Sequence, residues 1–200
     1  MSALGRVGRP LGALAVLAVS SVLVSDQHIV RGETAVLQAV NGWPRVIGAP
    51  LEVVMQLGTL PAAMAITVLV AVITARPRAT LALFLASLIA WRLDDVVKEV
   101  IERPRPEGHV DGLIVREETS GFGFPSGHTA VAFAVAAVLH PLLPGRWRWV
   151  PWVLASLVGV ARLHVGVHWP MDLVGGAALG VAIGGAFGLL VADGYRRRRP

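Results

Sequence analysis

Apolar residues in this chain gather into long blocks, and the polar residues between them mark out the elements. The first block, 11–24, follows Arg6 and Arg9. It is shorter than the roughly 20 residues of a spanning helix and has the length of a signal-peptide core. No small-x-small cleavage signal stands out near Ser25 and Asp26, which favours a retained span. Polar residues return over 26–50, yet Val36, Leu37 and Val40 keep helical spacing beside Gln38 and Asn41 and end at Gly42-Trp43-Pro44. The pattern predicts a short interfacial helix with Trp43 at headgroup level.

A second span is expected with its apolar centre over 57–75, Pro61 in its first turns and Arg76-Pro77-Arg78 closing it. The third starts at Ala79 and stays apolar to Trp91. Beyond that point Arg92, Asp94, Asp95, Lys98 and Glu99 appear while Leu93, Val96, Val97, Val100 and Ile101 continue the helical period, so the helix emerges from lipid before Pro104 and Pro106 stop it. Residues 107–123 form a polar loop without a period. Three more spans follow, over 127–143, 149–167 and 170–192, the last two entered through Pro151 and Pro170, a residue suited to a first helical turn. Gly176, Gly180, Gly184 and Gly188 recur every fourth residue and leave a bare strip on one face of the last span, as small-x-x-x-small packing requires. The strip predicts a helix contact, either within the chain or in a homo-oligomer.

Composition agrees with the pattern. Mean hydropathy is +0.65, and 16% of the 200 residues are charged, against about 25% in soluble domains. The fold class expected is all-α, a polytopic membrane bundle of about six transmembrane helices forming a single domain over 1–200. The net charge of +5 does not point to nucleic acid, because it lies at the termini and in short loops rather than on a basic face interleaved with aromatics. Arg6 and Arg9, Arg76 and Arg78, Arg146 and Arg148, and Arg196 to Arg199 all fall on one side of a six-span chain, which the positive-inside rule makes the cytoplasm. The protein is thus expected in the cell membrane with both termini cytoplasmic. There is no cysteine, hence no disulfide framework and no thiolate metal site.

The opposite, extracytoplasmic side collects a distinct chemistry. Lys98 and Arg105-Pro106 follow span three, Pro125-Ser126-Gly127-His128 precedes span four, and Arg162, His168 and Asp172 lie around the junction of spans five and six. Taken singly, such cations are interfacial anchors. Together with two imidazoles and a carboxylate they form a set suited to phosphate, the arginines offering bidentate forks to phosphoryl oxygens. Ser126 and Gly127 turn into a helix, where backbone N–H groups and the hydroxyl can face an anion; Ser126 as a plain N-cap is the simpler reading of the same position. Asp94 and Asp95, four and three residues before Lys98, either orient it or solvate a helix end. His164, His168 and Asp172 share an i, i+4, i+8 spacing that raises a metal site, but Pro170 breaks a continuous helix between them, and neither metal nor cofactor is expected. His28, His109 and His140 read as surface residues, and Asp111, Glu117 and Glu118 as loop solvation.

These motifs, K-x6-R-P, P-S-G-H and R-x5-H-x3-D, together resemble the signature of the type 2 phosphatidic acid phosphatase family, which also holds vanadium haloperoxidases, lipid phosphate phosphatases and polyprenyl diphosphate phosphatases. The resemblance spans 98–172. One departure is Ala161, where the family usually has serine, so a hydroxyl hydrogen bond from that position is absent. The resemblance implies a phosphatase acting on an amphiphilic phosphate such as a polyprenyl diphosphate, phosphatidate or phosphatidylglycerol phosphate, with His168 as nucleophile, Asp172 orienting it and His128 as proton donor. Lys98, Arg105, Ser126, Gly127 and Arg162 would then bind the phosphate. Membrane embedding disfavours a haloperoxidase. The resemblance thus implies a phosphohistidine intermediate; a phosphotransferase using the same intermediate and a non-enzymatic lipid carrier are the competing expectations, the carrier being disfavoured by the lack of internal repeats.

Overall fold

The computed structural model describes residues 3–196, and its regular structure is helical, with eight α-helices among the described residues. They are α1 (Ala3–Val24), α2 (Glu33–Asn41), α3 (Arg45–Met55), α4 (Leu60–Thr74), α5 (Pro77–Ile101), α6 (Gly127–Leu139), α7 (Val150–His164) and α8 (Pro170–Arg196). Arg197, Arg198 and Arg199 of the expected cytoplasmic cluster lie outside the described residues.

The centre of the bundle is α6, packed against α5, α7 and α8. Its contact with α8 explains the glycine strip. A methyl group at Gly176, Gly180 or Gly184 would land on the carbonyl oxygen of Ser126, Ala130 or Ala134 respectively, so only bare backbone lets the two helices meet this closely. The strip is therefore filled by α6 of the same chain, and the surface foreseen for a second copy is already occupied. Alanine does the same service on the other side: Ala82, Ala86 and Ala90 of α5 and Ala63 of α4 join Val131, Ala134, Val135 and Val138 in one buried cluster. Outward positions are apolar as well, among them Val19 and Val22 on α1, Val68, Leu69, Val72 and Ile73 on α4, and Val153 on α7. A helix apolar on its outer face has lipid, not water, as its natural surroundings.

Two helical stretches, Val7–Gln27 and Pro170–Leu189, are long and apolar enough to cross a membrane unaided, and the bent pair Arg45–Gly58 plus Leu60–Thr74 makes a third. The other expected spans differ from the simple pattern for identifiable reasons. The second is built of two helices: Thr59 caps α4 through its side chain, and α3, which the sequence pattern did not separate, precedes it and meets it at 67°. The fourth stops at Leu139, short of Pro141, which has no N–H to continue the ladder. The fifth stops at His164, where Gly166 turns the chain with φ +80°. The third follows the sequence closely as α5. The short helix expected around Val36 to Val40 exists as α2, beginning at Glu33.

The termini that carry the motifs lie at one end of the bundle. There the chain leaves α5, enters α6, leaves α7 and enters α8, and residues of α5, α6 and α7, with His168 just before α8, line a common cavity. At the other end Pro10 of α1 sits beside Gly185 of α8.

Candidate active site

Each side chain in this cavity is aimed by a local device. Glu102, in the left-handed conformation at φ 50°, caps α5 through its N–H on the Lys98 carbonyl, 2.9 Å away, and turns the chain into Arg103-Pro104-Arg105-Pro106. The Gly123 N–H donates to the Arg103 carbonyl at 2.7 Å and closes the base of the polar loop. At the entry to α6, a Cβ on Gly127 would collide with Asp94 Oδ2, so glycine alone allows the first turn of α6 to lie against α5.

The cavity has a volume near 550 Å³ and is lined by Lys98, Arg105, Gly127, His128, Arg162 and His168, together with Asp94, Asp95, Trp91 and the loop residues Glu117 to Ser120. Ser126 and Asp172 are fully buried just behind this wall. The expected site residues, separated by up to 74 positions in sequence, are thus brought together.

His168 is 2% exposed. Its Nδ1 lies 3.3 Å from Asp172 Oδ2, and its Nε2 lies 3.5 Å from Arg105 Nη1. An ionised carboxylate only accepts, so the ring proton sits on Nδ1 and the lone pair of Nε2 faces the cationic side. Burial, followed by the charges of Arg162, Arg105, Lys98 and His128, holds His168 well below its ordinary value and therefore neutral. Asp172 Oδ2 also accepts from the Trp169 N–H at 2.8 Å.

The cations are held in different ways. Lys98 Nζ lies 2.5 Å from Asp94 Oδ2; of the two aspartates considered, Asp94 is buried and makes the pair while Asp95 is exposed. Arg105 donates to the carbonyls of Val167 at 2.9 Å, Gly121 at 3.2 Å and Ser120 at 3.3 Å. Burial and the nearby Arg162 push its pKa down. Arg162 Nη1 donates to both carboxylate oxygens of Glu117, each at 2.8 Å. Glu117 is accordingly no mere solvating residue of the loop.

Ser126 departs from expectation. Its N–H donates to the Asp172 carbonyl at 2.9 Å, its Oγ accepts from the Thr129 hydroxyl at 3.0 Å, and it makes no side-chain cap. It braces α6 against α8, and of the two residues proposed to face an anion Gly127 is the one on the cavity wall. His164 turns away from the cluster, its Nδ1 3.2 Å from the Val40 carbonyl; among the described residues no three His, Cys, Asp or Glu side chains gather as metal ligands. His28 and His109 are exposed, as expected, but His140 is half-buried, accepting from Trp152 Nε1 at 3.0 Å between the rings of Trp149 and Trp152.

Sequence reasoning missed several residues. Glu33 and Arg103 form a buried ion pair that continues to Asp172. Asn41 bonds Ile114 in both directions and donates to the His164 carbonyl at 2.8 Å, and Arg116 donates to the same carbonyl, so the polar loop is pinned across the end of α7. Arg103 announces itself only by adjacency to Arg105. Glu33 reaches Arg103 across 70 residues and Asn41 reaches Ile114 and His164 across 73 and 123, so nothing local marks either as part of the site.

Comparison with known proteins follows the same outline. The chain is 35% identical over 100 residues to the undecaprenyl-diphosphatase of Sulfolobus acidocaldarius, covering 49% of this chain and 48% of that protein. It is 38% identical over 101 residues to phosphatidylglycerophosphatase B of Bacillus subtilis, covering 46% and 47%. The chain thus spans about half the length of these curated relatives. Among solved structures, a transmembrane PAP2 type phosphatidylglycerolphosphate phosphatase from Bacillus subtilis superimposes with a TM-score of 0.76 at 22% identity, over 96% of this chain and 98% of that one. Aquifex aeolicus LpxE does so with 0.69 at 24% identity, over 77% and 92%. At these identities the likeness speaks for the fold. The model of the PAP2 superfamily matches residues 78–196, more than half of the chain and the whole of the candidate site from Lys98 to Asp172, and the chain belongs to that superfamily.

Proposed function

We propose that the protein is an integral-membrane lipid phosphate phosphatase that hydrolyses a phosphate monoester or diphosphate of an amphiphilic substrate, such as a polyprenyl diphosphate, phosphatidate or phosphatidylglycerol phosphate. The observation that carries this reading is the placement of His168, with Nδ1 toward Asp172 and Nε2 toward Arg105 in a cavity that also holds Lys98, Arg162 and His128. Membrane helices around the cavity favour a lipid substrate over a soluble one, and the names of the relatives point the same way. The chain crosses the membrane six times, through α1, the α3–α4 pair, α5, α6, α7 and α8, and the site faces the extracytoplasmic side.

In the first step the Nε2 lone pair of His168 attacks phosphorus in line with the scissile P–O bond. That bond breaks with its electron pair going to the leaving oxygen, which takes a proton from His128. Lys98, Arg105 and Arg162 neutralise the charge that gathers on the three phosphoryl oxygens. In the second step His128, now a base, removes a proton from water. The water oxygen attacks phosphorus, the P–N bond breaks, and phosphate leaves with His168 neutral again.

The experiment is release of inorganic phosphate by purified protein in detergent, with EDTA present and no added acceptor alcohol, from a panel of these three lipid phosphates. Release from at least one supports the proposal. No release from any of them, or release only when an acceptor alcohol is added, contradicts it.

A further inference from the structure

We infer that Glu33 and Arg103 are positioning residues that act on His168 through Asp172, as a buried chain Glu33–Arg103–Asp172–His168. The inference rests on the proposed phosphohistidine route, and it assigns work to two residues outside the cavity wall.

All members of the chain are enclosed: Glu33 is 4%, Arg103 1%, Asp172 0% and His168 2% exposed. Arg103 Nη1 donates to Asp172 Oδ1 at 2.7 Å and to Glu33 Oε1 at 3.3 Å, while Nη2 lies 2.5 Å from Glu33 Oε2 and 3.2 Å from the His28 carbonyl. The two oxygens of Asp172 therefore have separate partners, Oδ1 the guanidinium and Oδ2 the imidazole. A carboxylate gripped on one oxygen cannot swing about its Cβ–Cγ bond, and that fixes the ring it holds. Glu33 is fixed in turn by the N–H groups of Val30 and Met171, each at 2.8 Å. The Met171 bond ties it to the first turn of α8, one residue from Asp172. Neither Glu33 nor Arg103 lines the cavity, so neither can touch the phosphate.

Charge supplies a second reason for the pairing. Two carboxylates share one guanidinium, and the trio keeps a net negative charge beside His168. As Nε2 bonds to phosphorus the imidazole retains the proton on Nδ1 and becomes cationic. A neutral Arg103–Asp172 pair would offer that cation little, whereas the additional carboxylate of Glu33 leaves Asp172 effective as its counter-charge among buried groups.

The test uses full-length protein in detergent, wild type beside Glu33→Gln and Arg103→Lys, assayed on a lipid phosphate and on p-nitrophenyl phosphate. Glu33→Gln keeps the shape of the side chain and removes its charge. Arg103→Lys keeps the charge and loses the planar fork that reaches both carboxylates. Both should remain folded by gel filtration and circular dichroism. Their kcat should fall about ten- to a hundredfold, the usual cost of removing an outer-shell partner. KM should stay within about threefold of wild type, as for an interaction used only in the transition state. The loss should be equal for good and poor leaving groups, since the nucleophile and not the proton donor is disturbed. A folded variant with wild-type kcat, a rise in KM alone, or a fall in kcat that only tracks the loss of folded protein in both variants would overturn the inference. A wild-type protein that releases no phosphate would instead overturn the function on which it rests.

Discussion

Arg162 Nη1 stands 2.8 Å from both carboxylate oxygens of Glu117. The guanidinium proposed to bind phosphate thus already holds an anion, and that anion hangs from the polar loop with its side chain 33% exposed. A phosphate bound at Nη1 would compete with it.

Glu117→Gln should therefore bind substrate more tightly. A partly exposed ion pair is worth about 0.5–1 kcal/mol, so KM should fall roughly two- to fivefold with a smaller change in kcat. Steady-state kinetics on one lipid phosphate suffices, and a rise in KM would mean that Glu117 positions Arg162 instead of competing for it.

The protonation state of His168 gives a second prediction. Burial and four cationic or potentially cationic neighbours depress its pKa well below the ordinary 6.5. In detergent-solubilised protein labelled with carbon-13 histidine, the His168 ring, identified by its loss in His168→Ala, should still be neutral at pH 6.5. The linkage has a definite sign: the unfolded chain takes up a proton near pH 6.5 that the folded chain refuses, so this group lowers stability as pH falls below 6.5. Titration of the ring at or above 6.5 would contradict the burial argument.

Helix packing supplies the third. A side chain at Gly180 would strike the Ala130 carbonyl and come within 2.8 Å of Phe133 Cβ. Gly180→Val should destabilise the bundle by about 1–3 kcal/mol or more, the cost of overpacking, seen as a lower Tm in detergent. An unchanged Tm would mean that α6 and α8 do not depend on the strip.

Much of this fold was legible because its signals are local. The Gly176 to Gly188 strip, Pro170 at the head of α8 and the long amphipathic end of α5 each follow from spacing within one helix. The motif residues were legible for the same reason, three short strings each carrying its own chemistry. Residues that join distant segments were not. Glu33 lies 70 residues from Arg103, Glu117 lies 45 from Arg162, and the α3 helix is broken from α4 only by the short turn before Thr59. A carboxylate in a polar stretch looks like solvation until the fold places a guanidinium over it. Ser126 failed differently: its position at a helix start suggested an anion, but its N–H was claimed by the Asp172 carbonyl across the helix pair.

Orientation is open to chemical labelling. Asp111 and Arg78 are both exposed, at the site end and the opposite end of the bundle. In a chain that has no native cysteine, a cysteine at Asp111 should react with an impermeant thiol reagent added to intact cells, and one at Arg78 should not. The reverse pattern would place the site in the cytoplasm.

The most direct test of the central claim is rapid acid-free trapping of the phosphoenzyme with a phosphorus-32 substrate, comparing wild type, His168→Ala and His128→Ala. Wild type should carry acid-labile label on histidine, and His168→Ala should carry none and turn over nothing. His128→Ala should still be labelled by an activated ester such as p-nitrophenyl phosphate, while losing about 10²- to 10⁴-fold with a lipid alkoxide leaving group that needs its proton. A labelled phosphoenzyme in His168→Ala, or equal losses for good and poor leaving groups in His128→Ala, would show that His168 is not the nucleophile or His128 not the acid.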